Sequence, residues 1–195
     1  MNSSHTLTLP FQLFLLRHGE TEWNLKGRIQ GQLDSPLMSK GRDQALREGK
    51  ILSQLRDGLE NHQVFCSPFG RAQQTARLAL SNEEFLIDER LIEIGCGKWE
   101  PTCHEDRFTS DPDLAVQLTE DFATYVNAPA GEGLAELSNR LTELLESLKD
   151  PTIIFSHEIA LVMRTLLCDS ELSSNMAPPR GAILETSQGV ACYHS

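Results

Sequence analysis

Apolar residues along the chain fall into two alternating patterns. Uninterrupted short runs, which are typical of buried strands, occupy residues 11–16, 64–66, 85–87, 153–155, 182–184 and 190–193. Longer segments between them carry apolar side chains every three or four residues, and these predict helices over residues 39–57, 67–80, 132–148 and 158–167. The alternation predicts an α/β fold in which helices cover both faces of a mostly parallel central sheet, as a three-layer αβα sandwich.

Local signals refine these predicted elements. Ser39 is expected to be the N-cap of the first helix, and Ser67 and Pro68 are expected to be the N-cap and first helical residue of the second. Residues 28–38 predict a loop, and residues 91–93 predict an extended stretch. Two apolar faces are expected to pack on the sheet: Ala45, Leu46, Ile51, Leu52 and Leu55 in the first helix, and Leu134, Leu137, Leu141, Leu144, Leu145 and Leu148 in the third.

The length of 195 residues fits one domain. Residues 1–10 are polar, lack lysine and arginine, and end at Pro10, so a loose N-terminal arm is expected rather than a secretory signal. Residues 11–195 are expected to form the single domain. Residues 99–131 predict an acidic excursion from it, with one helix around residues 114–126.

Composition excludes several kinds of partner. The formal net charge of −11 disfavours nucleic acid and anionic membranes, which bind cationic surfaces. No apolar run approaches membrane-spanning length. The five cysteines are widely spaced and form no CxxC motif, so a disulfide framework or a zinc knuckle is not expected. We therefore expect a reducing, cytoplasmic setting and a small-molecule partner, with the choice between monomer and homodimer open.

Candidate chemistry follows three of the predicted strands. Arg17-His18 follows the first and Ser156-His157 follows the 153–155 strand, while Arg71 lies just after the 64–66 strand. Parallel strands place their carboxyl ends at one sheet edge, so these side chains should meet there. Two histidines with arginines and helix N-termini favour a phosphate group, and Glu93 is a candidate proton donor at its rim. Taken alone, the first motif also fits a strand-ending turn, and His157 fits a buried structural histidine.

The motifs along the chain, in the order in which they occur, resemble those of the histidine phosphatase (phosphoglycerate mutase-like) superfamily. The similarity runs through nearly the whole chain from Phe11 onwards. Its signature is Arg17-His18-Gly19-Glu20-Thr21 with Asn24. The other matching segments are residues 27–37, Gly41 with Gln44-Ala45, residues 67–76, Leu91-Ile92-Glu93 with Gly97 and Trp99-Glu100, Gly131-Glu132, and Ser156-His157. The resemblance implies the phosphoglycerate mutase-like form of the αβα sandwich.

The resemblance also implies roles for individual residues. His18 would be the nucleophile that becomes phosphorylated, and Glu93 would protonate the leaving oxygen and then help to activate water. Three residues would hold the transferring phosphoryl oxygens: Arg17, Arg71 and His157. Five are candidate substrate-binding residues: Thr21, Asn24, Gln30, Gly31 and Glu158. No metal ion or other cofactor is implied, because the cations would do the work that a metal does elsewhere.

Two residues depart from the pattern of the family. Glu158 follows the second histidine where the family usually has glycine, and Pro101 stands where glycine commonly follows Trp-Glu. A carboxylate at position 158 could repel an anionic substrate, reach Arg17 or Arg71, point away, or pair with a cationic substrate. Pro101 alters the entry to the acidic excursion.

The acidic excursion favours one activity within the family. Between Trp99 and Asn139 the sequence has nine acidic residues and one basic residue, Arg107. In this family the region forms a wall over the substrate, and phosphoglycerate mutases need additional cations there. We therefore expect a phosphomonoesterase whose substrate has low or positive charge beyond its phosphate. The alternatives are a phosphoglycerate mutase, and a phosphate-binding member whose catalysis is impaired by Glu158.

Overall fold

The computed structural model describes residues 7–57, 59, 61–103, 122–168, 180–186 and 190–194. Its strands are β1 (Leu13–Arg17), β2 (Gln63–Cys66), β3 (Leu86–Ile87), β4 (Thr152–Ser156), β5 (Ala182–Thr186) and β6 (Val190–His194). Its helices are α1 (Glu22–Leu25), α2 (Ser39–Leu55), α3 (Gly70–Ala79), α4 (Phe122–Tyr125), α5 (Gly133–Ser147) and α6 (Ala160–Cys168). Two 3₁₀ turns cover Glu89–Leu91 and Gly97–Trp99.

The described strands form one sheet in the order β3-β2-β4-β1-β5-β6. The pairs β3-β2, β2-β4 and β4-β1 are parallel, whereas β5 is antiparallel to both of its neighbours. The register pairs Arg17 with Ser156 and Cys66 with Phe155, so β1, β4 and β2 end at the same edge. The predicted α/β fold with a mostly parallel sheet is confirmed.

The core is divided by the sheet into two layers. Leu13 and Leu15 of β1 face a cluster that includes leucines of α5 and α6, while Phe14 and Leu16 face a cluster that includes α2 and α3. The alternation follows from the two-residue period of a strand, and an uninterrupted apolar run is what burial on both faces requires. Each fully buried leucine contributes about 1.5–3 kcal/mol through the hydrophobic effect. The strand ends that carry the site therefore rest on a packed support.

The predicted starts of two helices were wrong. Met38 is the N-cap of α2, and Ser39 is its first helical residue. Phe69 is the N-cap of α3, which begins at Gly70 instead of Pro68. The hydroxyl of Ser67 accepts a hydrogen bond from the N–H of Phe69 at 3.3 Å and also contacts the ring of His157, so it is occupied outside the helix.

Four smaller features also differ from the prediction. Leu46 and Leu134 are exposed, at 48% and 36%, so neither belongs to the apolar face predicted for its helix. Leu46 lies on the side of α2 opposite to the buried residues Ala45, Glu48 and Leu52. Leu91 ends a 3₁₀ turn instead of starting an extended stretch. The short helix α1, inside the first motif, was not predicted.

The acidic excursion is described only at its two ends. The Gly97–Trp99 turn leads into a cis peptide bond between Glu100 and Pro101, and the chain is described again from α4 onwards. Most of the helix predicted around residues 114–126 lies outside the described residues, as do six of the nine acidic residues that suggested the excursion. No helix in the described part of the chain is long and apolar enough to cross a membrane.

Candidate active site

Three strand ends converge on one pair of histidines. The N–H of His18 donates to the carbonyl of Ser156 at 3.0 Å, which ties the end of β1 to the end of β4. The N–H of Ser67 donates to the carbonyl of Phe155 at 2.9 Å and joins β2 to the same edge. As a result, the ring centroids of His18 and His157 lie 5.2 Å apart, although the residues are far apart in sequence.

A cavity of about 260 Å³ opens above these histidines. Eight of the ten predicted site residues line it: Arg17, His18, Asn24, Gln30, Gly31, Arg71, Glu93 and Glu158. His157 lies fully buried beside His18. Thr21 is also fully buried, and its hydroxyl lies 3.0 Å from Asn24 Oδ1 and 3.1 Å from Gln30 Oε1. The structure therefore places Thr21 as a support for two cavity residues.

The His18 ring is held in the orientation that a nucleophile needs. Its Nδ1 lies 2.8 Å from the carbonyl oxygen of Gly19. Because a carbonyl can only accept, Nδ1 carries the proton and Nε2 keeps its lone pair. A side chain at Gly19 would place a Cβ 2.2 Å from the carbonyl oxygen of Gly41, so this close turn requires glycine. Burial, followed by the charges of Arg71, Arg180 and Arg17, lowers the pKa of His18 well below its usual value, and the imidazole is neutral.

His157 is buried more deeply than His18. Its Nε2 lies 2.7 Å from the Ser67 hydroxyl, and its Nδ1 has no hydrogen-bond partner within the described residues. Burial is the main cause that lowers its pKa well below the usual value, with Arg71 the next. Both rings are therefore uncharged near neutral pH, and the positive charge of the site comes from its arginines.

Arg71 is only 1% exposed and is fixed by the loop that precedes α2. Its guanidinium donates to the carbonyls of Leu33 and Gly31 and to the carboxylate of Asp34, the last at 3.1 Å. Its buried Nε has no partner among the described residues. Burial lowers its pKa from the ordinary value, yet arginine stays charged at physiological pH. The site therefore has a fixed cation with an unused donor.

Glu158 reaches across the cavity to Arg17. The Arg17 Nη2 donates to Glu158 Oε2 at 2.8 Å, and both side chains are largely buried, with exposed fractions of 15% and 24%. Of the orientations that the sequence allowed for this carboxylate, the structure has the one that pairs with the arginine before His18. One candidate phosphate ligand therefore already has an anionic partner.

Glu93 lines the same cavity as His18. Its carboxylate accepts hydrogen bonds from the N–H groups of Ile94 at 3.0 Å and Glu158 at 3.1 Å. Desolvation is the largest effect on its pKa, and the negative charge of Glu158 acts in the same direction, so the pKa is raised above its ordinary value. A carboxyl group that keeps its proton to higher pH is suited to general acid catalysis.

Sequence reasoning missed Arg180, which lines the cavity together with Glu20 and Arg28. Because β5 is antiparallel to β1, its start lies at the edge where β1 ends, and Arg180 lies just before that start. Nothing in the local sequence shows the direction of β5. An apolar wall was missed as well, formed by Ile29, Ile94, Cys96, Phe122 and Tyr125.

Comparisons with known proteins agree with this arrangement. The family model described as the histidine phosphatase superfamily (branch 1) matches residues 13–187. The chain belongs to this superfamily. It is 34% identical over 157 residues to a protein named probable phosphoglycerate mutase GpmB from Escherichia coli, a match that covers 77% of this chain and 71% of the relative.

Solved structures of related proteins resemble this fold over nearly the whole chain. One is described as a "putative alpha-ribazole-5'-P phosphatase" from Escherichia coli K-12; it has a TM-score of 0.74 and 25% identity, over 95% of this chain and 96% of that one. Another is a phosphoglycerate mutase from Thermus thermophilus, with a TM-score of 0.70 and 27% identity, over 93% of this chain and 96% of that one. The superfamily includes both phosphatases and mutases, so membership alone does not determine the reaction.

Proposed function

We propose that this chain is a metal-independent phosphomonoesterase that hydrolyses a small phosphorylated metabolite through a phosphohistidine intermediate. The observation that carries the proposal is the neutral ring of His18, whose Nε2 lone pair is left free by the bond from Nδ1 to the Gly19 carbonyl. Guanidinium groups surround that ring, and together they supply the positive charge that a phosphoryl group in transfer requires.

The first step transfers the phosphoryl group to His18. The Nε2 lone pair forms a bond to phosphorus as the ester P–O bond breaks, and Glu93 gives its proton to the leaving oxygen. We assign Arg71 and His157 to the equatorial oxygens, because each has a buried donor-capable nitrogen without a partner in the described structure. The product of this step is an alcohol and a phosphohistidine.

The second step returns the enzyme to its starting state. The carboxylate of Glu93 accepts a proton from water, and the water oxygen forms a bond to phosphorus as the P–N bond breaks. The products are inorganic phosphate, a protonated Glu93 and a neutral His18. Water is the second substrate, and no redox partner is required.

The leaving group is expected to be small, with low or positive charge beyond the phosphate. Three carboxylates line the described cavity, those of Glu20, Glu93 and Glu158, and they oppose a second anionic group on the substrate. The apolar wall that includes Phe122 and Tyr125 suits a leaving group with an apolar or flat portion. The name of the Escherichia coli K-12 structure, a phosphatase of an alpha-ribazole-5'-P ester, agrees with hydrolysis of a monophosphate.

A phosphoglycerate mutase is the second candidate. Arg28 and Arg180 add two cations to the cavity wall, and a mutase needs cations for the substrate carboxylate and a second phosphate. The name of the Escherichia coli relative points in the same direction. The two candidates differ in their products: a mutase interconverts phosphoglycerates with negligible release of free phosphate, whereas a phosphatase releases it.

The test compares hydrolysis of p-nitrophenyl phosphate by the unmodified chain, His18→Ala and His62→Ala, each in the presence of a chelator. His62 is a matched control, because it lies before the start of β2 against Glu83 and does not line the cavity. We expect turnover that is lost in His18→Ala and retained in His62→Ala. Equal turnover in all three, or phosphoglycerate interconversion without release of phosphate, would overturn the proposal.

A further inference from the structure

Arg180 lies in the cavity at a position set by the sheet. It lies just before β5, which pairs with β1 so that Ile183 is opposite Leu16. Because the strands are antiparallel, the residues that precede Ile183 lie beyond Leu16, next to the end of β1 where Arg17 and His18 begin the site. This topology places Arg180 in the cavity wall with Arg17, His18 and Glu158.

The backbone that carries Arg180 is anchored. The N–H of Gly181 donates at 2.9 Å to Oε1 of Glu48, a fully buried residue of α2. Gly181 has a φ of +85°, and a Cβ there would lie 3.3 Å from Gln44 Cγ. The same Gln44 accepts a hydrogen bond at 2.8 Å from the N–H of Glu20, in the first motif. The attachment point of Arg180 is thus fixed to the elements that hold His18.

The guanidinium of Arg180 has an unused donor. Within the described part of the chain, its Nε is buried without a hydrogen-bond partner and its guanidinium forms no ion pair. Buried polar groups normally find partners, so an orphaned donor in a cavity wall points to a missing ligand. The Nε atoms of Arg17 and Arg71 and the Nδ1 of His157 are orphaned in the same way. The three arginines line the same cavity, and their unused donors favour an anionic ligand there.

The three arginines are not equally available to that ligand. Arg17 is paired with Glu158, and Arg71 uses both of its terminal nitrogens on the 31–34 loop. Arg180 has neither constraint within the described residues. Burial and the nearby charge of Arg17 lower its pKa to about 10, which still leaves it charged at neutral pH.

We propose that Arg180 binds the phosphate of the substrate directly, as a guanidinium ligand in addition to Arg17, which is paired with Glu158. The inference rests on the proposed function in that it places the phosphate in this cavity. The ligand that Arg180 binds is a phosphate monoester dianion or inorganic phosphate. Phosphate binding can be measured without turnover, so the two proposals can fail separately.

One rival role for Arg180 is charge balance alone. Glu158, Glu20 and Glu93 all attract the Arg180 guanidinium, and Arg180 could serve only to offset the extra carboxylate of Glu158. In that case Arg180 would become dispensable once Glu158 is neutral. A direct phosphate ligand would be needed with Glu158 present or replaced.

The experiment is calorimetric titration of inorganic phosphate into the unmodified chain, Arg180→Gln, Arg180→Lys, Glu158→Gln and the double variant Arg180→Gln/Glu158→Gln. Arg47→Gln is the matched control, because it removes a neighbouring exposed arginine that does not line the cavity. Circular dichroism melts establish that each variant is folded. Steady-state hydrolysis of p-nitrophenyl phosphate is measured in parallel.

We expect Arg180→Gln to raise the Kd for phosphate about tenfold or more, since a charge-assisted hydrogen bond is lost. The Kd of Arg180→Lys should lie between the values for the unmodified chain and Arg180→Gln. The Kd of Arg47→Gln should stay within about twofold of the unmodified value, a change that is small compared with the loss in Arg180→Gln. The double variant should also bind phosphate more weakly than Glu158→Gln alone, by a similar factor.

Three results would overturn the inference: an unchanged Kd in folded Arg180→Gln, a loss that disappears when Glu158 is also replaced, or no phosphate binding by the unmodified chain. If phosphate binding depends on Arg180 but no ester is hydrolysed, the inference stands and the proposed function fails. If esters are hydrolysed equally well by Arg180→Gln with an unchanged Kd, the proposed function stands and the inference fails.

Discussion

Glu158 accepts a 2.8 Å hydrogen bond from Arg17, the arginine that directly precedes the candidate nucleophile. Neither side chain is freely exposed, so the pair is less screened by water than a surface ion pair. The same glutamate donates its backbone N–H to Glu93 at 3.1 Å, and its negative charge raises the pKa of that carboxyl. One residue therefore restrains a candidate phosphate ligand and also favours the protonated form of the candidate proton donor.

Replacement of Glu158 by glycine should increase turnover. The change frees Arg17 to contact the phosphoryl group and removes a negative charge from the cavity, and we expect kcat/KM for p-nitrophenyl phosphate to rise about tenfold. Glu158→Gln separates the loss of charge from the loss of side chain. Glu146→Gly, at an exposed position in α5 away from the site, controls for the added flexibility.

An unchanged or lower kcat/KM in both Glu158 variants would contradict this account of the ion pair. A rise from almost no turnover to a high value would instead favour the interpretation in which this chain is an impaired, phosphate-binding member of its family.

The raised pKa of Glu93 predicts a descending pH profile. The protonated carboxyl is the acid that the proposed first step needs, and kcat/KM reports only the steps up to release of the leaving group. For an alkyl phosphate, kcat/KM should therefore fall as the pH rises through the titration of Glu93, whose pKa is raised above its ordinary value. Glu93→Gln should lose this limb and lower kcat/KM by roughly 10²–10⁴ for an alkyl phosphate. The loss should be much smaller for p-nitrophenyl phosphate, whose leaving group needs little protonation.

The comparison of the two esters serves as the internal control for Glu93. An equal loss of kcat/KM on both esters, or a kcat/KM profile for the alkyl phosphate that stays flat into alkaline pH, would show that Glu93 does not donate the proton.

Glu48 predicts how stability depends on pH. It is fully buried, and burial raises its pKa from 4.5 to about 8. Because the folded state holds this proton more tightly than the unfolded state, the contribution to stability is fully present below pH 4.5 and is lost as the pH rises to about 8. The loss is on the order of a few kcal/mol.

Urea unfolding at a series of pH values measures this contribution. Glu48→Gln cannot titrate but can still accept the hydrogen bond from the Gly181 N–H. As the pH rises from 4.5 to about 8, the free energy of unfolding of Glu48→Gln should therefore increase relative to that of the unmodified chain. The exposed Glu146→Gln variant should follow the unmodified chain. Parallel curves for Glu48→Gln and the unmodified chain would show that Glu48 does not titrate in this range.

The sequence was sufficient to predict the layers of the fold and the convergence of His18, His157 and Arg71. Each of those predictions depends on a local pattern: an apolar run predicts a buried strand, and parallel strands end at one edge. The prediction that Ser67 is an N-cap failed because local propensity does not show a competing partner. The Ser67 hydroxyl is bonded to His157, a residue 90 positions away.

Arg180 and the orientation of Glu158 could not be predicted for a related reason. Arg180 enters the cavity only because β5 runs antiparallel beside β1, and strand direction is a property of the whole sheet. Glu158 departs from the family pattern in a way that the sequence shows, but several orientations are open to its side chain. Only the geometry of the folded site selects Arg17 as its partner.

The most direct test of the central claim is to trap the phosphoryl group on the protein. The chain would be mixed with p-nitrophenyl phosphate, quenched in alkali within the first turnovers and mapped by peptide mass spectrometry, beside His18→Ala and His62→Ala. We predict a phosphoryl group on His18 that is stable in base and labile in acid, and that is absent from His18→Ala alone. A label on His157 or Ser67, or hydrolysis without any label on His18, would contradict the account.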